Sequence, residues 1–167
     1  MIVDHDYDAH SGPADKALWN SLKPADRPGA LRTWADIRQF VFAGNATFTL
    51  ESKSGVRFTY KVSTSKDGGA FFVGLLRGPD NNSDYAYMGM VKPGEPFTFT
   101  RASRVTRDAL SAKGAVWFFD ALLLEKESAL PQFTFWHEGR CGRCGRRLTV
   151  PSSIASGIGP ECAGRME

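Results

Sequence analysis

The pattern His137-x3-Cys141-x2-Cys144-x17-Cys162 limits this chain more than any other feature of its sequence. It holds all three cysteines and one of the three histidines. Three thiols and an imidazole make four soft or borderline ligands, the number that a closed tetrahedral zinc site takes. Cys141-x-x-Cys144 followed by Gly145 reads as a knuckle, in which two intervening residues let both thiolates turn toward one ion. Gly142 and Gly145 relieve its tight backbone. Gly159-Pro160-Glu161-Cys162 reads as a helix start, with Pro160 at the first helical position, where its missing N–H costs nothing. Cys162 then falls in the first turn, at the positive end of the helix dipole, which favours a thiolate. His137 follows the alternating run Gln132-Phe133-Thr134-Phe135-Trp136, a strand pattern. A strand, a knuckle and a helix start converging on one ion describe a treble-clef-like zinc ribbon. His137 is the expected fourth ligand, and a water or the Glu161 carboxylate is the alternative.

Disulfide pairing explains these cysteines less well. Three thiols leave one unpaired, and no leader pattern precedes them, so a reducing, cytoplasmic setting is expected. A redox Cys-x-x-Cys accounts neither for Cys162 nor for the glycines.

The string Cys141-Gly-Arg-Cys144-Gly145-Arg146-x-Leu148-Thr149, then Pro151-x-Ser153-Ile154, then Gly157-Ile158-Gly159-Pro160-x-Cys162 resembles a small zinc-binding domain of unknown function found in bacteriophage and actinobacterial proteins. The stretch from Phe40 to Tyr87 is similar to phage proteins that carry this domain. The resemblance implies a metal and a phage context in a bacterial host cytoplasm. It implies no activity.

The 167 residues suit one domain with a small appendage, and a composition 42% hydrophobic and 23% charged supplies a real core. The net charge of +3 permits nucleic-acid binding without arguing for it. No apolar run approaches the ~20 residues of a membrane span. Asp4, His5, Asp6, Asp8 and His10 read as a flexible acidic arm, with a second metal site as the alternative. Pro13 to Lys23 has a short helical pattern, and Lys23 to Gly29 is a linker. Thr33-x-x-Asp36 resembles a capping box that opens a helix carrying Trp34, Ile37, Phe40 and Val41, closed by Gly44. Phe48 and Leu50, then Val56, Phe58, Tyr60 and Val62, alternate with polar residues about the turn Ser52 to Gly55, which predicts a hairpin with one wet face. Phe71 to Leu76 reads as a strand buried on both faces. Tyr85 to Val91 and Phe97 to Arg101 complete the sheet. From Ser103 the pattern is helical, with Ala115, Phe118, Phe119, Leu122 and Leu123 forming an apolar helix that Pro131 ends.

The fold class is therefore α+β: a twisted antiparallel sheet of about five strands packed by helices, with the treble-clef-like zinc ribbon at its C-terminus. The expected divisions are 1–30 as arm and short helix, 31–131 as the α+β domain and 132–167 as the ribbon.

Outside the thiols the signals are weaker. Arg57 and Lys61, with Thr47, Thr49 and Thr59, share the hairpin's polar face and either track a phosphate backbone or form a solvated face. Arg140, Arg143, Arg146, Arg147 and Arg165 surround the ligands. They serve as phosphate contacts on a rigid knuckle or as an offset to thiolate charge. The sequence contains no triad pattern, phosphate-binding glycine loop or rich carboxylate set, which favours a non-enzymatic accessory protein acting on nucleic acid or a nucleoprotein complex. The alternative is an inhibitor of a host defence complex acting by protein–protein contact, with the polar loop 77–84 as a contact. A zinc hydrolase with an open coordination position stands in reserve.

Overall fold

In the computed structural model, which describes residues 29–80, 83–149 and 151–165, the alternating segments form one antiparallel sheet of six strands. They are β1 (Ala30–Leu31), β2 (Asn45–Ser52), β3 (Arg57–Thr64), β4 (Phe71–Leu76), β5 (Tyr85–Val91) and β6 (Phe133–His137), in the order β1-β6-β2-β3-β4-β5. The β2–β3 hairpin has the expected register, with Phe48 opposite Tyr60 and Leu50 opposite Phe58. Phe48, Tyr60 and Val62 point to one face and are fully buried there.

Two helices cover that face. α1 (Trp34–Val41) begins where the sequence predicts: the Thr33 side chain accepts the Asp36 N–H at 3.2 Å. Its Trp34, Ile37, Phe40 and Val41 are buried. α2 (Leu110–Leu124) buries Ala115, Phe118, Phe119 and Leu122. Phe118 meets Trp34, Phe48, Phe133 and Phe135 at centroid separations from 5.6 to 6.2 Å. Polar bonds fix the two helices in place: Tyr60 Oη donates to the Ser111 carbonyl at 2.8 Å, Trp34 Nε1 to Lys126 at 2.9 Å and Arg38 Nη2 to Leu122 at 2.6 Å.

Several expectations give way to tertiary pairing. The sheet gains β1 and β6 and loses Phe97–Arg101, where Thr98 makes one isolated bridge to Met90. Pro93-Gly94 and Pro96 interrupt that ladder, and Phe97 turns inward to stack on Phe119 at 5.7 Å. β6, assigned by sequence to the appendage, is an inner strand paired with β1 and with β2. The segment expected to open the ribbon thus begins as a strand of the main sheet. α2 starts at Leu110 and ends at Leu124, where Glu125 takes a left-handed conformation (φ 48°), and Pro131 lies in the following 3-10 helix (Glu127–Gln132). β4 is not buried on both faces, since Phe72 is 41% exposed.

The supposed wet face of the hairpin is packed. Thr49 and Thr59 are buried and bond to each other at 2.7 Å, and Thr49 also donates to Glu138. Arg57 pairs with Glu51 at 3.2 Å and lies 4.9 Å over the Trp136 ring. The acidic stretch Asp4 to His10 and the helix pattern of Pro13 to Lys23 lie outside the described residues.

Candidate metal centre

The end of β6 delivers the chain to the thiols. After His137 it turns at Gly139 (φ 78°) into a tight hairpin, in which Cys141 N–H bonds to the Arg146 carbonyl at 2.8 Å and Leu148 N–H to Gly139 at 2.8 Å. Gly145 N–H closes the knuckle on the Cys141 carbonyl at 2.9 Å, and Gly145 takes the left-handed conformation (φ 78°) that this turn requires. Two short helices, α3 (Pro151–Ser156) and α4 (Pro160–Arg165), return the chain to the knuckle.

Backbone bonds stitch this region to the sheet. Asn45 N–H, at the start of β2, donates to the Gly142 carbonyl at 2.7 Å, and Gly142 N–H donates to Gly157 at 2.9 Å. A Cβ on Gly142 would lie 2.7 Å from the Phe40 ring, and one on Gly157 would lie 2.6 Å from it. Phe40 therefore fills the seam between α1 and the thiol hairpin, and only glycine fits at these two contacts. Cys141, Leu148, Ile158 and Cys162 belong to the same hydrophobic cluster as Phe48 and Phe118.

Cys141 and Cys144 from the knuckle and Cys162 from the first turn of α4 bring their sulfurs within 4.8 Å of one another. Three sulfurs at ~2.3 Å from one tetrahedral zinc stand about 3.8 Å apart, so little adjustment closes them on an ion. One thiol of the set, Cys141, is prepared for charge. Cys141 Sγ accepts the Gly159 N–H at 3.3 Å and the Arg143 N–H at 3.4 Å. Burial raises the pKa of the Cys141 thiol, but these N–H groups and Cys144 outweigh it and bring it down to about 7. Burial and the two neighbouring thiols push Cys162 up to about 11. Three thiolates this close repel one another, and a divalent cation removes the conflict. The residues therefore fit a metal that prefers sulfur, with three thiolates as ligands.

His137 is not brought into this group. Its buried imidazole accepts the Gly139 N–H on Nδ1 at 3.1 Å, and Nε2, left as the protonated nitrogen, donates to the Ile154 carbonyl at 2.6 Å. Burial holds its pKa below the ordinary histidine range, although the Ile154 bond opposes the shift. His137 thus ties the end of β6 to α3. Sequence spacing made His137 the expected fourth ligand; in this conformation both of its ring nitrogens are engaged by backbone seventeen or fewer residues away.

The arginines divide. Arg146, Arg147 and Arg165 line a cavity of about 300 Å³ that all three cysteines share. Arg146 also pairs with Glu161 at 3.7 Å, both exposed. Arg143 is exposed on the knuckle, and Arg140 is half-buried with Nη1 on the Gly145 carbonyl at 3.4 Å. Arg57 and Lys61 do not line this cavity; Lys61 Nζ lies 5.6 Å over the Tyr85 ring.

A second cavity, of about 410 Å³, went unread in the sequence. It lies between the hairpin and α2 and includes Val56, Phe58, Leu110, Gly114 and Trp117. Its one sequence signal is Gly114, a glycine inside an apolar helix.

Among the described residues no helix is long and apolar enough to cross a membrane. No curated protein and no solved structure matches the chain. Residues 133–167, from the start of β6 through the thiol cluster, match the model of a family of unknown function (DUF6011).

Proposed function

We propose that this chain is a non-enzymatic zinc protein in which the three thiolates fix the C-terminal hairpin, treble-clef-like in outline, so that its arginines meet nucleic-acid phosphates. One observation carries the reading: Arg146, Arg147 and Arg165 share the walls of one cavity with Cys141, Cys144 and Cys162. Guanidinium groups on a backbone already fixed by ligands, and by the seam at Phe40, lose little entropy on binding and match phosphate oxygens in pairs. Arg143 extends the patch on the exposed side of the knuckle. Three anionic ligands leave a bound divalent ion with net negative charge, which suits a structural role better than the acidification of water.

The test combines metal analysis with binding. The purified, reduced protein carries one zinc per chain. Exchanging Arg143 and Arg147 for glutamine leaves zinc content unchanged, weakens binding to DNA and RNA irrespective of sequence, and lowers the salt slope by up to about two units. A parent protein that binds neither nucleic acid at low salt removes this reading.

The second reading, a protein that blocks a partner such as a phage host's defence complex, is favoured by a different observation. Leu110 and Trp117 are 61% and 40% exposed beside the apolar cavity. A complex with a host protein that survives nuclease supports it.

A further inference from the structure

We infer that the second face of the sheet is a docking surface for this chain's own N-terminal segment, whose apolar stripe Leu18, Trp19 and Leu22 closes over Trp136, Thr49 and Thr59.

Strand register defines the surface. Ala30 lies opposite Trp136, Trp136 opposite Thr49, and Thr49 opposite Thr59, so the four form one row across β1, β6, β2 and β3. Directly opposed residues share a face, and alternation turns this one away from Phe48, Tyr60 and Phe135. α1 and α2 pack on those rings: Phe40 meets Phe135 at 5.9 Å, and Phe118 meets Phe48 and Phe135. The row nevertheless excludes water. Trp136 is 8% exposed, Thr49 3% and Thr59 6%. The row's own contacts do not account for that. The two threonine hydroxyls bond to each other, and the Arg57 guanidinium lies 4.9 Å over the Trp136 ring. An indole has roughly 150–250 Å² to bury, more than one planar guanidinium covers. A sheet face that carries it requires a further layer. Beside the row, Glu51 Oε2 holds Arg57, while Oε1 is buried and has no hydrogen-bond partner among the described residues. A buried carboxylate oxygen requires a donor.

Residues 1–28 enter the fold at this row. The Gly29 carbonyl accepts the His137 N–H at 2.9 Å, and Ala30 is the row's first member. Docking of the segment is therefore intramolecular, at high effective concentration. The helical pattern from Pro13 to Lys23 is eleven residues long, about 16 Å as a helix. The three strand spacings from β1 to β3 come to about 14 Å. The seven residues from Lys23 to Gly29 reach up to about 23 Å, enough to lay the pattern across the row. Lys16, Lys23 and Arg27 offer Glu51 the donor it lacks. Exposure decides between this surface and the groove beside α2. There Leu110 and Trp117 stay 61% and 40% exposed, whereas the Trp136 row is closed.

Hydroxyl-radical footprinting of the full chain, read at each tryptophan by mass spectrometry, tests the inference with Trp117 as internal reference. In the parent, Trp136 is expected to oxidise about fivefold more slowly than Trp117, in proportion to exposures of 8% and 40%. In the Leu18→Ser/Leu22→Ser variant, Trp136 oxidation rises to the Trp117 level. Trp117 itself and hydrogen exchange in β2 and β3 stay as in the parent. Trp19→Ala gives a smaller rise in the same direction and serves if the double variant folds poorly. Equal oxidation of Trp136 and Trp117 in the parent overturns the inference. Protection of Trp136 that survives both variants also overturns it. Protection lost when the parent is diluted assigns the face to a second copy of the chain and overturns it too. A rise at Trp117 with Trp136 unchanged does the same, because the segment then lies against α2.

Discussion

Replacing His137 by leucine removes a hydrogen-bond donor from a buried carbonyl without removing a thiol. Nε2–H meets the Ile154 carbonyl at 2.6 Å, and Nδ1 accepts the Gly139 N–H. A buried carbonyl that loses its donor costs about 1–3 kcal/mol, and the Gly139 N–H, which is only half-buried, adds about 0.5–1.5 kcal/mol. His137→Leu is therefore expected to lose about 2–4 kcal/mol of stability. His137→Gln places an amide N–H near the old Nε2 position and loses about half as much. Both variants keep one zinc per chain while folded, because the thiols remain. The effect also depends on pH. The unfolded imidazole titrates near 6.5, and burial keeps the native one below that. Below pH 6.5 the unfolded chain binds a proton that the native chain refuses. Native stability then falls with pH, by up to about 1.4 kcal/mol per unit, until the native imidazole itself protonates; above 6.5 the group is neutral in both states and contributes no slope. Subtracting the His137→Leu curve from that of the parent isolates this slope, since metal effects are common to both. Denaturant melts from pH 5 to 8 with zinc analysis make the measurement. Loss of zinc from both variants, with glutamine as damaging as leucine, refutes the argument and restores His137 as a ligand.

Three further outcomes are expected. Phe118→Ala costs about 3–5 kcal/mol in thermal or denaturant melts, because its ring is fully buried among Trp34, Phe48, Phe133 and Phe135; an unchanged melt means the face of α2 is misjudged. Gly142→Ala drives a methyl to 2.7 Å from the Phe40 ring and 2.9 Å from its carbonyl oxygen, and destabilises the protein by about 1–3 kcal/mol, an effect that Phe40→Leu in the same chain partly relieves. In metal-free, reduced protein, thiolate absorbance titrates in separated steps, the first near pH 7 and the last near 11, with the steps belonging to the cluster as a whole; a single step near 9 shows that the thiols do not interact.

Local pattern made much of this molecule legible. The alternation from Phe48 to Val62 dictated the hairpin and its register, because side-chain period and turn length are properties of a few consecutive residues. Thr33 and Asp36 marked the start of α1 for the same reason. The Cys-x2-Cys spacing and the Pro160-Glu161-Cys162 helix start brought three thiols together, since each is a short-range device. Alternation could not show that Phe133–His137 enters the sheet between β1 and β2. A strand's own sequence states its faces and not its neighbours, and the partners of β6 lie about a hundred residues earlier in the chain.

The sequence by itself determined which residues can ligate, and where the chain must turn to let them. Only the tertiary structure decided which of them come together. His137 has the right chemistry and spacing, but a ring nitrogen takes whichever donor or acceptor the fold brings nearest. Here those groups are the Gly139 N–H and the carbonyl of α3. Arg57 and Lys61 carry the right charge, but they sit on a packed sheet face away from the cavity walls. Arg165 reaches the cavity because α4 folds back over the knuckle. Residue type fixes the range of a side chain's chemistry, and long-range packing, which no local pattern encodes, fixes its partner.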